Sequence, residues 1–389
     1  MDLRFWNSKM IGWGYRHLQR WVYQHDLLIE RQYCYEDCVR SFRKRLEYNG
    51  LPVDEPVQGE ESYIKFWQQF CPRVEPYTYR FFSRIVGPNP HIIPEDIAYI
   101  YIESVLNPEK FRDFYSDKNM YSRYIHPTNS IAKSYLCRID GGLLMSERGY
   151  HRFDLSAREI AEIVDGGGKA NKVFLKPSNY SHSGQRVMLF EKKEGIFTNG
   201  DKELSGSFLK KFGTDFVVQE VIDQHPYLSQ FCSSSCNTMR IMTYRSVVDE
   251  SVNVFGAILR IGHEGSVVDN LFAGGGFVVI NVETGELGNC VYNQYGQAST
   301  SINRTDFSKE SYILPFWEQS VDFAKSVARQ VPHHRLLAQD IVIDKVGQSR
   351  LIEFNVDGFN WGFTMYAGKI PFGDKFDEVI KFCLKNKKA

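Results

Sequence analysis

Three oxygen-bearing side chains near the end of the chain have the spacing of a β-hairpin. Asp340 opens one short apolar run, and Glu353 and Asn355 lie in a second run after a turn that contains glycine. Because side chains alternate along a strand, Glu353 and Asn355 share one face, which Asp340 can also reach. Carboxylate and amide oxygens suit a hard cation that is shared with phosphates and water. The alternative interpretation is a solvated hairpin face, since these residue types are mostly exposed.

A lysine at the end of a predicted strand precedes a loop of small and polar residues. The strand at 173–176 ends in Lys176, and the chain returns as a second strand at 186–190. The loop between them includes Ser178, Ser181, Ser183 and Gly184. Such a loop can turn N–H groups and hydroxyls toward an anion, and the lysine adds a charge suited to phosphate. It is not a P-loop, because the glycine–lysine spacing of that motif is missing. An ordinary hairpin loop is the alternative.

Two further stretches combine strands with charged residues. An apolar strand at 216–221 ends in acids and continues to Asp223, so it could hold a ribose hydroxyl while its backbone contacts an adenine edge. Arg240 and Arg260 lie on two strands that the pattern pairs as a hairpin. Buried arginines are costly without an anionic partner, so they either pair with neighbouring carboxylates or bind phosphate or carboxylate ligands. The glycine-rich stretch at 268–276 can bring the backbone close to a ligand, or form only a bulge.

Taken in order, these pieces resemble the ATP-grasp superfamily. Four segments resemble its sugar-transfer-associated branch, which is found with polysaccharide biosynthesis genes in bacteria; they are residues 237–240, 260–262, 265–270 and 274–275. The resemblance covers residues 106–362 and leaves residues 1–90 unmatched. It implies a fold in which two lobes grip ATP between antiparallel sheets. It also implies a ligase that joins a carboxylate to an amine through an acyl phosphate.

The resemblance also implies roles for individual residues. Lys118 and Lys176 would hold the α- and β-phosphates of ATP, and Arg240 and Arg260 would neutralise the γ-phosphate and the acyl phosphate. Other nucleotide contacts would come from the loop with Ser178, Ser181, Ser183 and Gly184, and from Gln219, Glu220, Ile222, Asp223 and Asn270. The ribose would lie near Asp223 or His225, and Mg²⁺ would be bound by Asp340, Glu353 and Asn355. If one cleft holds this set, Lys176 and Glu353 must face the same cavity. No residue stands out as the base for the amine.

Helices dominate the first half of the sequence and strands the second, which favours the α+β class. We expect a helical region at 1–115, the smaller ATP-grasp lobe at 116–221, and the larger lobe with the metal site at 222–389. The aromatic-rich stretch at 63–82 is predicted to be one helix, and a helix with a capping box is predicted at 156–164.

Composition narrows the class of protein. The 389 residues include 47 basic and 47 acidic side chains, so nothing indicates nucleic acid as a partner. No stretch approaches the roughly 18 continuous apolar residues of a membrane span, and no signal peptide pattern occurs. Eight scattered cysteines in a long chain favour a reducing compartment, so we expect a cytoplasmic protein. The aromatic, basic N-terminal helix is expected to pack on its own domain, or to contact a membrane surface or a glycosyltransferase.

The leading functional prediction is an ATP- and Mg²⁺-dependent ligase that forms an amide between an amino acid and a sugar, sugar nucleotide or sugar-linked carrier. The sugar part rests on family resemblance alone. One alternative is a kinase of the same fold that phosphorylates a hydroxyl. Another is a nucleotide-binding scaffold without turnover, against which Asp340, Glu353 and Asn355 argue, because an inactive site has no need of metal ligands. Acceptor specificity is expected from the N-terminal region and from loops such as 290–312.

Overall fold

The computed structural model describes residues 3–179, 186–271 and 274–387, with side chains described at His25 and from residue 27 onward. The helices of this part are α1 (Leu3–Tyr48), α2 (Glu60–Trp67), α3 (Tyr77–Val86), α4 (Glu95–Ile97), α5 (Ser104–Leu106), α6 (Arg112–Ser116), α7 (Tyr121–Tyr124), α8 (Ala157–Gly167), α9 (Gly206–Phe212), α10 (Pro226–Ser229), α11 (Trp317–Arg329), α12 (Gly362–Met365) and α13 (Phe376–Asn386). A π-helical segment, Ala98–Glu103, joins α4 to α5.

The strands are β1 (Ser134–Arg138), β2 (Leu144–Ser146), β3 (Gly149–His151), β4 (Lys172–Pro177), β5 (Met188–Lys193), β6 (Ile196–Asn199), β7 (Lys202–Glu203), β8 (Phe216–Glu220), β9 (Met239–Arg245), β10 (Val252–Ile261), β11 (Gly276–Ile280), β12 (Leu287–Tyr292), β13 (Ala298–Ser299), β14 (Ser301–Ile302), β15 (Thr305–Asp306), β16 (Leu336–Ile343) and β17 (Ser349–Asn355). Eight of them form a sheet in the order β3-β2-β1-β8-β4-β5-β6-β7, and seven form another in the order β13-β12-β11-β10-β9-β16-β17. Neighbouring strands run antiparallel in both sheets. The α+β class is therefore confirmed.

The seven-stranded sheet buries both of its faces. One face packs against α11, through residues such as Ile241, Leu259 and Leu337. The opposite face carries Met242, Tyr244, Ile258, Leu336 and Ala338, which share a hydrophobic core with α2, α3 and the last turns of α1. Because side chains alternate along a strand, Arg240 and Asp340 lie on this second face, beyond the apolar patch. The N-terminal helices thus cover the apolar half of this face, and they do not cover the half that carries Arg240 and Asp340.

Most predicted elements occur with shifted ends, and one helix was predicted wrongly. The capping box at Ser156 is present, and α1 fills the stretch expected to be helical. The single helix expected at 63–82 is instead two, since α2 ends at Trp67 and α3 begins at Tyr77. Pro72 and Pro76 lie in the gap, where proline removes a backbone donor and cannot continue a helix. The aromatic residues are there because they fill a core, to which both helices contribute.

Asn107 joins the helical region to the hairpin of β16 and β17. Its Oδ1 accepts hydrogen bonds from the N–H groups of Arg335 and Leu336, both at 2.9 Å. Its Nδ2 donates to the carbonyls of Leu336 at 2.9 Å and Val356 at 2.7 Å. The side chain is fully buried, so all four of these bonds form away from water. Asn107 therefore holds the start of β16 beside the residue that follows β17.

Glu103, one turn earlier, binds the loop that follows β17. Its carboxylate accepts hydrogen bonds from the N–H groups of Gly358 at 2.9 Å and Phe359 at 3.1 Å, and from the indole N–H of Trp361 at 2.6 Å. The side chain is buried, and burial raises its pKa to about 8 even though the three donors act to lower it. Asn107 and Glu103, two buried polar residues four positions apart, thus fix the start of β16 and the segment that follows β17.

We predict that Asn107→Ala lowers the free energy of unfolding by about 2–3 kcal/mol, because it leaves several buried backbone groups without partners. Urea denaturation measures this change. Asn386→Ala is the matched control, since Asn386 is exposed and bonds only to Phe382 of its own helix, and its cost should stay within about 0.5 kcal/mol. Equal midpoints for the two variants would show that Asn107 does not anchor the hairpin.

Candidate active site

A row of charged residues crosses four adjacent strands of the seven-stranded sheet. Glu353 on β17 lies directly opposite Asp340 on β16, and Asp340 lies directly opposite Arg240 on β9. Arg260 on β10 lies two residues beyond Ile258, the cross-strand partner of Arg240. Cross-strand neighbours have their Cβ atoms about 5 Å apart, so long side chains in this row meet. The sheet order therefore brings together residues that are far apart in the sequence.

Asp340 is bound by two arginines. Its Oδ1 and Oδ2 accept from Nε and Nη2 of Arg240, both at 2.8 Å, and Oδ2 also accepts from Nη1 of Arg260 at 2.9 Å. Asp340 is only 2% exposed, and this two-point contact with Arg240 is the geometry in which a buried ion pair is strongest. Burial alone would lower the pKa of Arg240, but Asp340 raises it. Of the two predicted uses of the arginines, the pairing with neighbouring carboxylates is present.

Glu353 is bound by a lysine and lies near a second one. Nζ of Lys118 is 3.0 Å from Oε2 of Glu353. Burial alone would raise the pKa of Glu353, but Lys118 and Lys176 lower it to about 2. Burial lowers the pKa of Lys176 to about 8, with Glu353 opposing the shift and Lys118 adding to it. Glu353 is therefore a carboxylate at neutral pH, while Lys176 is close to losing its proton.

These residues lie at one end of a cavity of about 420 Å³ between the two sheets. The wall from the eight-stranded sheet includes Lys172, Phe174, Lys176, Val187, Leu189, Gln219 and Glu220. The wall from the seven-stranded sheet includes Arg260, Asp340, Ile352 and Glu353. The segments 221–224, 233–236 and 267–270 complete it. As predicted, Lys176 and Glu353 line the same cavity.

The other predicted site residues fall into three groups. The cavity is also lined by Ile222, Asp223 and Asn270, whereas Lys118 and Arg240 are not part of its lining and form ion pairs with the lining residues Glu353 and Asp340. Ser178 and Asn355 do not line the cavity: Ser178 is buried between Lys118 and Asp215, and Nδ2 of Asn355 is 3.5 Å from the carbonyl of Ala338. Ser181, Ser183 and Gly184 lie outside the described residues.

The carboxylates of Glu220 and Asp223 already have partners. Oε2 of Glu220 is 2.7 Å from Nη2 of Arg350 and accepts from the N–H of Lys133 at 3.0 Å. The carboxylate of Asp223 accepts from Nζ of Lys345 at 2.9 Å. These contacts favour a backbone role toward a ligand for the segment after β8. His225, the other residue expected near a ribose, is not part of the described lining, and its Nδ1 accepts from the N–H of Tyr227.

Sequence reasoning missed one carboxylate of the site, Asp269. It lines the cavity, and its Oδ1 is 3.1 Å from Nη2 of Arg260. Its Oδ2 accepts from the hydroxyl of Thr238 and, at 3.2 Å, from the N–H of Thr238. Burial raises the pKa of Asp269, although Arg260 lowers it. The sequence did point to the stretch 268–276, but a lone acid in a loop carries no spacing that identifies its partner.

The residues fit a divalent cation that is shared with phosphates. Asp340 and Glu353 line the cavity side by side, and each carboxylate oxygen can accept more than one bond. The described residues contain no group of three or more His, Cys, Asp or Glu side chains that could hold a metal ion alone. Asp340 and Glu353, which lie beside four cationic side chains, supply two carboxylates, and a cation bound there needs further oxygen ligands. Phosphate oxygens supply such ligands in magnesium sites.

Family comparison decides which group of proteins this architecture represents. The model of the sugar-transfer-associated ATP-grasp family matches residues 103–370, which is more than half of the chain. The chain belongs to this family. The matched range begins at Glu103 and includes both sheets and every residue predicted for the site.

Solved ATP-grasp proteins share parts of the fold at low sequence identity. An N5-carboxyaminoimidazole ribonucleotide synthetase in complex with ADP matches at 10% identity and TM-score 0.36, over 64% of this chain and 46% of its own length. The D-alanine–D-alanine ligase from Coxiella burnetii matches at 9% identity and TM-score 0.39, over 70% and 58%. The VanG D-Ala:D-Ser ligase from Enterococcus faecalis matches at 14% and 0.39, over 69% and 62%. Similarity this low carries no functional argument. The comparison with curated proteins found no match to the chain.

We predict that nucleotide affinity falls as the pH rises through about 8. Lys176 then loses its proton, and each unit of pH above its pKa weakens binding of a phosphate by up to about tenfold. Calorimetric titration with ADP at pH 7, 8 and 9 measures the effect. Lys176→Arg should remove most of the dependence, because arginine stays charged. Lys202→Arg, on the exposed strand β7, is the control and should leave it unchanged. If ADP affinity still falls with rising pH in the Lys176→Arg variant, the group that titrates is not Lys176.

Proposed function

We propose that the protein is an ATP- and Mg²⁺-dependent ligase that joins a carboxylate to an amine, with release of ADP and phosphate. The observation that carries the proposal is the charge arrangement at one end of the cavity. Four cationic residues, Lys118, Lys176, Arg240 and Arg260, lie there with three carboxylates, Asp269, Asp340 and Glu353. The excess of positive charge suits a polyanion, and the paired acids suit the divalent cation that accompanies it.

The cationic side chains have fixed positions before any ligand binds. Arg260 is held from two sides, by Asp340 at 2.9 Å and by Asp269 at 3.1 Å. A guanidinium held in this way keeps its remaining N–H groups directed at one place, which is what stabilises charge that develops during phosphoryl or acyl transfer. Lys118 and Lys176 surround Glu353 and would bind phosphate oxygens as point charges.

Mg²⁺, when bound by Asp340 and Glu353 with the amide oxygen of Asn355, would supply charge neutralisation to the phosphate oxygens. Asn355 lies two residues along β17 from Glu353 and therefore on the same face. The cavity walls also include the apolar side chains of Phe174, Leu189 and Ile352. These side chains would contact the adenine ring, while the backbone at Glu220 and Ile222 contacts its edge.

The substrates follow from the family and not from the cavity. We propose an amino acid and a sugar, sugar nucleotide or sugar-linked carrier, in polysaccharide biosynthesis in the cytoplasm. The family's association with sugar transfer supports this choice. The loop at 290–312 does not line the described cavity, and Tyr295 in it stacks on Tyr48 at the end of α1, with ring centroids 4.0 Å apart. Acceptor specificity would therefore come from the other predicted source, the N-terminal region, whose core adjoins the charged half of the sheet.

We predict that incubation with ATP, Mg²⁺ and a panel of amino acids releases ADP, and that added hydroxylamine traps the activated carboxylate as a hydroxamate. The amino acid that gives hydroxamate is the substrate that supplies the carboxylate. Release of ADP with a stable phosphate ester and no hydroxamate would instead identify a kinase. Absence of ADP release for every amino acid and sugar nucleotide tested would leave a nucleotide-binding scaffold.

We predict that Glu353→Gln uncouples nucleotide binding from Mg²⁺. In the unaltered protein, ADP should bind more tightly with Mg²⁺ than with a chelator, and the variant should lose most of that difference, since a carboxamide binds the cation weakly. Turnover should fall by about 100-fold or more. Calorimetry with and without Mg²⁺ measures the coupling. Glu283→Gln, at an exposed position of the same sheet region, is the control. A variant that keeps the full Mg²⁺ effect would exclude Glu353 from the metal site.

A further inference from the structure

One side of α1 carries apolar side chains that the rest of the protein does not cover. Leu28, Ile29 and Tyr33 are 62%, 56% and 68% exposed. Further along the helix, Cys38, Phe42 and Leu46 are buried. The last three residues are spaced by four and therefore form one row on the helix, which faces the hydrophobic core. Ile29 and Tyr33 lie on a different side, whereas Leu28 lies five turns before Leu46 and continues that row into the part of the helix where it is exposed.

The sequence pattern places further apolar residues at the same helical positions toward the start of α1. Residues seven apart share a helix face, and Trp21 and Val22 precede Leu28 and Ile29 by seven positions. Leu18 lies 11 residues before Ile29, and Met10 and Ile11 lie 18 residues before Leu28 and Ile29, which are about three and five whole turns; Leu3 lies seven before Met10. Asn7 and His25 fall within it, so the side is apolar without being uniformly so. We call this side, from Leu3 to Tyr33, the outer stripe.

The charge and aromatic content of the same segment identify a suitable partner. Between residues 3 and 25 there are four basic residues, Arg4, Lys9, Arg16 and Arg20, and no acidic residue, in a chain whose net charge is zero. Trp6, Trp13 and Trp21 are three of the six tryptophans of the chain. Tryptophan, an apolar side and basic residues that lie mainly outside that side, with Arg4 the exception, are the composition of a helix that lies in the headgroup region of an anionic bilayer.

We propose that α1 docks the protein on the surface of an anionic lipid bilayer, with the outer stripe turned toward the acyl chains. Among the described residues, no helix is long and apolar enough to cross a membrane, so the contact is with the surface. A coiled coil with a second copy fits less well, because Asn7 and His25 interrupt the seam. Net charge argues in the same direction: the basic segment complements anionic headgroups and would repel its own copy.

Co-sedimentation of the full-length protein with vesicles tests the proposal. We expect binding to vesicles of phosphatidylcholine mixed with phosphatidylglycerol, weak binding to phosphatidylcholine alone, and release of the protein by high salt. Replacing Leu28, Ile29 and Tyr33 together by serine should weaken binding by about tenfold or more, since it removes three apolar side chains from the contact. The matched control replaces Leu143, Tyr150 and Ile313 by serine, which are also exposed and lie outside α1.

Charge reversal gives an independent second arm. Arg16→Glu with Arg20→Glu should abolish the preference for anionic vesicles, whereas Arg304→Glu with Lys309→Glu, at exposed positions away from α1, should preserve it. Thermal unfolding of each variant checks that the fold is intact. Equal sedimentation with both vesicle types, or equal binding by the serine triple variant and its control, would overturn the proposal. So would a concentration-dependent dimer that the triple variant disrupts, in the absence of vesicle binding.

Discussion

The buried carboxylate of Asp340, bound by arginines from the two strands next to it in the sheet, is the interaction on which the site depends. Burying one charge costs several kcal/mol, and the cost is met only where a partner has good geometry. Arg240 meets Asp340 at two points, and Arg260 adds a third contact. Removal of Asp340 would leave Arg240 without its two-point contact, and removal of Arg240 would leave Asp340 with Arg260 alone. The strand order β10-β9-β16-β17 is thus required by charge as well as by packing.

The helical region contributes to the same hairpin from the outside. The apolar half of the sheet face lies under α2 and α3, and Asn107 and Glu103 bind the two ends of the β16–β17 hairpin through seven hydrogen bonds. A hairpin alone is marginally stable in water and can shift its register, which here would turn Glu353 away from Asp340. The helices α2 and α3, which precede the range matched by the family, therefore cover the sheet that carries the predicted site residues, and Glu103 and Asn107, at the start of that range, bind its hairpin.

Local patterns predicted the hairpins and the capped helix, because alternation and turn residues occur in adjacent positions, whereas the facing of Lys176 and Glu353 was implied by the family resemblance. Whether Arg240 would bind a carboxylate of the protein or a ligand was left open. Its partner Asp340 lies 100 residues away, and the contact depends on β16 being the second neighbour of β9 in the sheet. Asp269 was missed for the same reason. The stretch at 63–82 was predicted as one helix because its aromatic residues are frequent throughout. The sequence did not show that they belong to two helices that pack into the same core.

The two ends of the cavity are also tied to each other. After β8, the N–H of His225 donates to the carbonyl of Ile343 and that of Lys345 to the carbonyl of Asp223, both at 2.8 Å. Arg350 of β17 closes the other side of this junction by binding Glu220. The segment that would contact a base is therefore fixed to the hairpin that carries Asp340 and Glu353. Preorganised groups stabilise developing charge without first having to move, and this connection holds the segment after β8 and the acids of the hairpin in one arrangement, to which β4 of the eight-stranded sheet adds Lys176.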